Sequence, residues 1–273
     1  NDPTYPGHLH VIDPLRQIFV NGKDFKVVKR QKQTLLDPVT GNISKKYSTF
    51  SRNIYSYIKN LYSGINTSYA TSYANWIKGY DKNRDKYCWF PSSAYAAAAM
   101  ARTDQQFFPW IATMGTATGK LSNVLDFAIN PNQKERDLLY RVNQNALVNF
   151  PGEGNLIWGQ KKMQRVNSAL DRNNVRRGLL EWEKSTQRTL WQFIGQPNTL
   201  ITRTRVGNAL TPIFENAKQN QGVYDYLIVC DERNNTAETI DQMTLNVDIY
   251  LKPVKAMEFI RANFIVTRTG VDF

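Results

Sequence analysis

The chain has 273 residues, 41% of them hydrophobic and including 13 Phe, 14 Tyr and 6 Trp, which is enough apolar material for one large domain or two small ones and excludes a disordered tail. Lys and Arg outnumber Asp and Glu by 35 to 23, and the formal charge of +12 favours acidic partners, whether nucleic acid, an anionic protein face or an anionic membrane surface. There is no apolar run of the about eighteen residues a membrane helix needs and no signal peptide, and the two cysteines, Cys88 and Cys230, form no disulfide framework and are expected as free thiols in a reducing compartment.

The first residue is Asn1 and a strand is already under way over residues 8–12, so the chain reads as part of something longer. Asn21-Gly22 between Ile18-Phe19-Val20 and Phe25-Lys26-Val27-Val28 predicts a hairpin, and the polar, basic stretch 29–47 predicts a surface loop. From Ser48 the apolar residues Phe50, Ile54, Tyr57, Ile58, Leu61 and Tyr62 recur at helical spacing, which predicts a helix ending at Gly64. Strands are expected over residues 73–80 and 87–90 around a charged turn at 82–86, and Pro91-Ser92 opens an alanine-rich helix over 94–102. Its small side chains let the backbone approach a neighbour closely, so tight packing is expected of it. A loop over 104–119 and a strand over 124–129 follow, and Pro131-Asn132 starts the next helix.

In the second half, Asn174 is placed as the cap of a helix whose stripe is Val175, Leu179, Trp182, Thr186, Leu190 and Phe193, with Arg176, Glu183, Lys184 and Arg188 elsewhere on the wheel. A second helix is expected over 199–221, kinked or restarted at Pro212 and ended by Gly222. Strands are expected over 224–230, over the alternating Leu245, Val247, Ile249 and Leu251, and over 257–267, with a short helical turn at 236–243. This mixture predicts an α/β (α+β) fold: a mixed β-sheet flanked by helices, with residues 1–70 as the end of a preceding region and 71–273 as the core domain.

Few residues offer bond-making chemistry. Gly115-Thr116-Ala117-Thr118-Gly119-Lys120 fails as a phosphate-binding loop, because its glycines are one residue too close and Leu121 stands where a hydroxyl must hold magnesium. His8 and His10 share a strand face but only Asp13 lies near as a third ligand. Cys88, between Tyr87 and Trp89, suits an inert thiol, and Asp104, Asp231 and Asp241 suit caps of turns and helices. The densest basic cluster, Lys161-Lys162 through Arg165 to Arg172, suits a solvated loop or a contact to an acidic protein. No catalytic residue, metal site or cofactor is expected.

Ordered stations along the chain carry a resemblance: Ser72-Tyr73-Ala74 with Trp76, Trp89-Phe90-Pro91-Ser92-Ser93, Ala101-Arg102-Thr103-Asp104, the stretch 110–115, Glu135-Arg136-Asp137-Leu138-Leu139-Tyr140, Ile157-Trp158-Gly159, and Asn173-Asn174-Val175-Arg176-Arg177. Residues 226–231 with Asn234-Asn235, Ile240-Asp241, Ala262-Asn263-Phe264-Ile265-Val266 and Thr269-Gly270 complete it. From about residue 70 to the end, this order resembles the carboxy-terminal core of contractile-tail sheath proteins of T4-like bacteriophages. Thr113-Met114 departs from the Pro-Ala often found before the loop glycine, and residues 15–65 match only weakly.

The resemblance implies a structural subunit of the phage virion, assembled in the host cytoplasm, whose copies form hexameric rings around a tail tube and contract to drive the tube through the host envelope. Its implied partners are other sheath copies, the tail tube protein, and baseplate and tail-terminator proteins, with no direct nucleic acid and no membrane. It also implies that the helix over residues 132–143 faces the tube, through Lys134, Arg136, Asp137, Tyr140 and Arg141. An extended terminal strand, Phe259, Ile260, Arg261, Ala262, Asn263, Phe264, Ile265 and Val266, is implied to pair between subunits. Alternation alone leaves a plain core strand open there, since it does not specify the pairing chain. The charge of +12 keeps a basic nucleic-acid-binding module as the alternative.

Overall fold

The computed structural model describes residues 9–12, 18–21, 24–29, 50–53 and 64–259. Strand β1 (His10–Ile12) runs parallel to β5 (Ala70–Ser72), and the next residue, Tyr73, makes a parallel bridge to Asn145 at the mouth of β9 (Ala146–Phe150). β9 turns back through positive-φ Gly152 into β10 (Gly154–Trp158), so the parallel β1–β5 pair and the antiparallel β9–β10 pair are two small sheets joined by that bridge. A further, antiparallel sheet has β6 (Trp76–Asp81) between β7 (Lys86–Pro91) and the two-residue β8 (Asp126–Phe127).

Helix α1 (Ser92–Gln106) packs two of its alanines closely: Ala96 and Ala99 are buried with Tyr73, Ile77, Met100, Phe127, Leu147 and Ile157 in one core cluster, whereas Ala97 and Ala98 are exposed. Alanine lets the α1 backbone sit against the sheet with little side chain between them. Residues 115–118 form a single helical turn, α2 (Gly115–Thr118), where an open turn was expected.

The hairpin at Asn21-Gly22 is present as β2 (Ile18–Asn21) and β3 (Asp24–Lys29), but the helix expected from Ser48 is not what residues 50–53 form. They make β4 (Phe50–Asn53), antiparallel to β3, with Lys29 opposite Phe50 and Lys26 opposite Asn53. An isolated two-stranded hairpin is marginal in water, and a third strand on its open edge outweighs the weak helical propensity of Ser51 and Asn53. The rest of that expected helix, Ile54 to Tyr62, lies outside the described residues, as do His8, Asp13 and most of the expected loop at 29–47.

The second core is organised by Trp110. Helix α4 (Asn173–Leu190) and helix α5 (Leu200–Gln219) follow α3 (Gln133–Arg141); α4 packs on α5, and α5 packs on the antiparallel ladder of β11 (Val223–Val229) and β12 (Asp248–Pro253). α5 runs unbroken past Pro212, and Gln221 in the left-handed region with Gly222 bonded back to Ala217 ends it. Trp110 stacks on Phe108 at 4.7 Å, lies 5.5 Å from the Trp182 ring, and donates its indole N–H to the Asn220 carbonyl at 2.9 Å. A Cβ added at Gly178 would lie 2.9 Å from the Trp110 Cβ, and one at Gly222 3.0 Å from its indole, so both positions need the absence of a side chain. A short helix, α6 (Ala237–Asp241), stands before β12.

Three polar positions differ from expectation. Arg176, assigned to the charged side of the α4 wheel, is only 5% exposed, and Asn174, placed as a cap, sits inside the first turn and donates to the Trp110 carbonyl at 3.3 Å. Asp104, expected as a cap, pairs with Arg177, which also bonds Thr113 Oγ1 and the Met100 carbonyl. The first turn of α4 is thus inserted between α1 and the Trp110 loop, and the Arg177 guanidinium satisfies oxygens there.

Trp110→Ala is expected to lower unfolding stability by about 3–5 kcal/mol, through lost burial and the cavity left behind. Gly178→Ala should cost about 1–3 kcal/mol by overpacking the same ring. Denaturant unfolding followed by tryptophan fluorescence measures both.

Candidate functional site

The sequence around residue 132 fixes α3 at both ends. Asn132 Oδ1 accepts from the Glu135 amide at 3.1 Å and Glu135 Oε2 accepts from the Asn132 amide at 2.8 Å, a reciprocal capping box. At the other end Asn143 takes the left-handed conformation, and the Asn143 and Gln144 amides return to the carbonyls of Tyr140 and Leu139. Leu139 and Glu135 face inward. Lys134, Asp137 and Arg141 are exposed, spaced three and four residues apart on one outer face.

Arg136 does not share that face. Its guanidinium bonds the Pro131 carbonyl at 3.0 Å and lies 5.3 Å from the Phe150 ring centre, so it braces the helix entry on β9. Tyr140 is turned inward too, and the structure gathers around it residues the sequence left far apart.

Arg172 grips Glu258 with two donors, Nε to Oε1 at 2.6 Å and Nη2 to Oε2 at 3.1 Å. The Tyr140 hydroxyl lies between them, accepting from Arg172 Nη2 at 2.9 Å and donating to Glu258 Oε2 at 2.9 Å. Lys161 Nζ stands 3.8 Å from the Tyr140 ring centre and bonds the Tyr140 carbonyl at 2.9 Å, while Phe259 meets the ring edge-on at 5.7 Å. Asp171 pairs with Arg172 at 3.0 Å, so two cations and two carboxylates close the cluster with no net charge. The Arg172 and Glu258 side chains are only 18% and 9% exposed, a setting in which a bidentate pair is stronger than a surface pair.

Burial, and then the hydrogen bond to Glu258, push the Tyr140 hydroxyl up to about 12, which keeps it a donor at neutral pH. Burial and the neighbouring Arg172 push the Lys161 ammonium down. For Arg172, burial opposes the charged form, and the Glu258 bond and charge outweigh it to raise the guanidinium.

The basic cluster at 161–172 is therefore a solvated loop only around residues 165–167, where Arg165 is exposed, while Lys161, Lys162 and Arg172 turn inward. Backbone bonds from Met163 to Ala70, from Lys162 to Asp171 and from Asn173 to Gln160 draw it into the fold, and Lys162 is 1% exposed. Burial first, and then Arg176 and Arg177, push the Lys162 ammonium well down. These inward cations remove the cluster that a nucleic-acid surface would have used.

The remaining candidates are dispersed. The Gly115–Thr118 turn is closed on itself, with the Gly119 amide on the Gly115 carbonyl and Thr118 Oγ1 on the Ala112 carbonyl, leaving no open cradle for a phosphate. His10 is exposed, and no group of three His, Cys, Asp or Glu that could hold a metal occurs among the described residues. Cys88 and Cys230 are free and half-buried, the Cys230 thiol pushed up mainly by burial. Asp231 caps its turn by accepting from the Arg233 amide at 2.9 Å, and Asp241 ends α6. No described helix is long and apolar enough to cross a membrane. Of the expected terminal strand, residues 257–259 lie outside any strand, and Ile260 to Val266 lie outside the described residues.

Two family descriptions match the chain: phage tail sheath protein central domain over residues 40–163 and phage tail sheath C-terminal domain over 165–267. The tail sheath protein of Vibrio phage KVP40 is 31% identical over 94% of this chain, and that of Enterobacteria phage T4 32% identical over 80%. The chain spans only 37% and 33% of those relatives' lengths. Among solved structures, the sheath complex of the extracellular contractile injection system PVC in its contracted state has a TM-score of 0.68 at 21% identity, over 79% of this chain and 61% of that one. The anti-feeding prophage baseplate has a TM-score of 0.64 at 18% identity, over 74% and 56%. Likeness at that identity concerns the fold, and both share its mixed helices and small sheets.

With Tyr140 raised from 10.0 to about 12, its protonated form is the one the fold favours. The stabilisation it gives is whole below the unfolded value and is lost as pH rises from about 10 to about 12. A tyrosinate difference titration of the wild type against Tyr140→Phe should therefore show one late-ionising tyrosine; a difference centred at 10 would contradict the buried junction.

Proposed function

Because the chain belongs to the phage tail sheath family, we propose that it is the core portion of a contractile tail sheath subunit, which works by assembling with copies of itself and carries out no catalytic step. In this reading the copies form hexameric rings stacked around a tail tube, contact baseplate and tail-terminator proteins at the ends, and contract as a collective rigid-body rearrangement that drives the tube through the host envelope. The protein is then a virion tail component, put together in the host cytoplasm.

The observation that carries the reading is α3: a helix locked at both ends that offers Lys134 and Arg141 to solvent. Exposed ion pairs are worth about 0–1 kcal/mol each, weak enough singly to let go during contraction and sufficient in number to hold a tube of acidic surface. A second support is the β11–β12 ladder, whose inner residues Tyr226, Ile228, Ile249 and Leu251 pack on the Trp110 core. Among the described residues it has two strands and hence two unpaired edges, where strand addition by Phe259 to Val266 of a neighbouring copy supplies directional backbone bonds. A head-to-tail interface of that kind propagates as an open helix.

Lys134→Glu with Arg141→Glu should weaken tube attachment by about 1–2 kcal/mol per subunit, read as lost co-sedimentation with the tail tube at moderate salt, while the unfolding midpoint stays within error. Undiminished tube binding by the double variant would remove α3 from the role.

A further inference from the structure

The junction at Tyr140 joins the two surfaces that assembly would use, although nothing in the sequence places them together. α3 ends one residue after Tyr140, and Glu258 lies five residues beyond the end of β12. They are joined by the bidentate Arg172–Glu258 pair, the hydroxyl bridge of Tyr140 and the edge-on contact of Phe259, itself 73% exposed. Arg172 immediately precedes α4, so the third member of the junction is rooted in the second core. A carboxylate held by three hydrogen bonds fixes residue 258 against Tyr140 of α3 and against Arg172.

We propose that Glu258 is a positioning residue that makes α3 and residues 257–259 one mechanical unit, so that a hold on the helix and a hold on the chain at Phe259 constrain each other. The inference rests on the roles proposed for α3 and for strand pairing by Phe259 to Val266, and it adds a route by which contact at one surface is felt at the other. Because the cluster Lys161, Arg172, Asp171 and Glu258 is neutral as a whole, pulling Glu258 away leaves an excess cation beside Tyr140. The released state is therefore disfavoured, and the two surfaces move together.

Hydrogen exchange on the purified chain tests the coupling without any tube. Glu258→Ala is expected to speed exchange roughly tenfold or more not only at residues 257–259 but also at the last turn of α3, amides 139–144. Glu258→Gln, which can still accept from Tyr140, should restore part of the protection, and Tyr140→Phe, which keeps the ring, should show a smaller loss at the same amides. Faster exchange confined to the terminal residues, with α3 unchanged in every variant, would overturn the proposal. A double-mutant cycle of Glu258→Ala with Lys134→Glu/Arg141→Glu, scored by tube co-sedimentation, separates the two claims. Non-additive losses support the coupling, additive losses contradict it, and unchanged binding by the charge variant alone counts against the role of α3 while leaving the exchange result to stand by itself.

Discussion

The fold around the candidate site depends on one buried amide. Asn145 closes the line from β5 to β9 with its backbone, accepting from the Ala74 amide and donating to the Ser72 carbonyl, both at 3.0 Å. Its side chain serves Thr71 Oγ1, the Ser72 carbonyl and the Lys161 carbonyl through Nδ2, and accepts from the Lys161 amide at 2.7 Å through Oδ1. No other side chain of that size offers both a donor pair and an acceptor in one plane. By tying residue 161 to the strand that follows α3, Asn145 sets where Lys161 stands beneath Tyr140. A Cβ at Gly159 would come within 2.9 Å of Asn145 Oδ1, which accounts for glycine at that place.

From that tie the distribution of charge follows. Several basic residues are committed inside the molecule: Arg177 to Asp104 and two further oxygens, Arg172 to Glu258 and Asp171, and Arg176 stacked 4.1 Å from the Tyr69 ring. What reaches solvent on α3 is a small, separated set, Lys134 and Arg141 around Asp137. Dispersed weak contacts with rigid backing suit an assembly that must hold many copies and then release them together, whereas a dense basic patch would bind one acidic partner tightly.

Much of this was legible in the residues. Periodicity and punctuation place α1, α3, α4, α5, β11 and β12 within a few residues, because each carries its own apolar stripe and its own stop signal, such as Asn132 before α3 and Gly222 after α5. The failures are of one kind. β4 displaces a helical pattern because β3 had an edge to fill, and the strand expected over 73–80 starts only at Trp76, after Asn75 turns its side chain to the Ile129 carbonyl at 2.8 Å. The exposed positions Lys134 and Arg141, proposed to face the tube, could be named from the resemblance, but the inward turn of Arg136 and Tyr140 could not. Glu258 lies 118 residues beyond Tyr140, and no local pattern reports a partner at that distance. The burial of Lys162 within a run of basic residues escaped for the same reason: charge runs look solvated until backbone bonds draw them in.

The central physical claim is that this polypeptide's work is done by edges and faces that other copies complete. A reconstruction of the assembled polymer that traces residues 257–267 tests it most directly. The expected result is an extended segment leaving Glu258 and hydrogen-bonding along β11 or β12 of a neighbouring copy, with α3 of each copy turned to the tube. A segment folded back as a strand of its own chain, in particles that stay monomeric at high concentration, would contradict it.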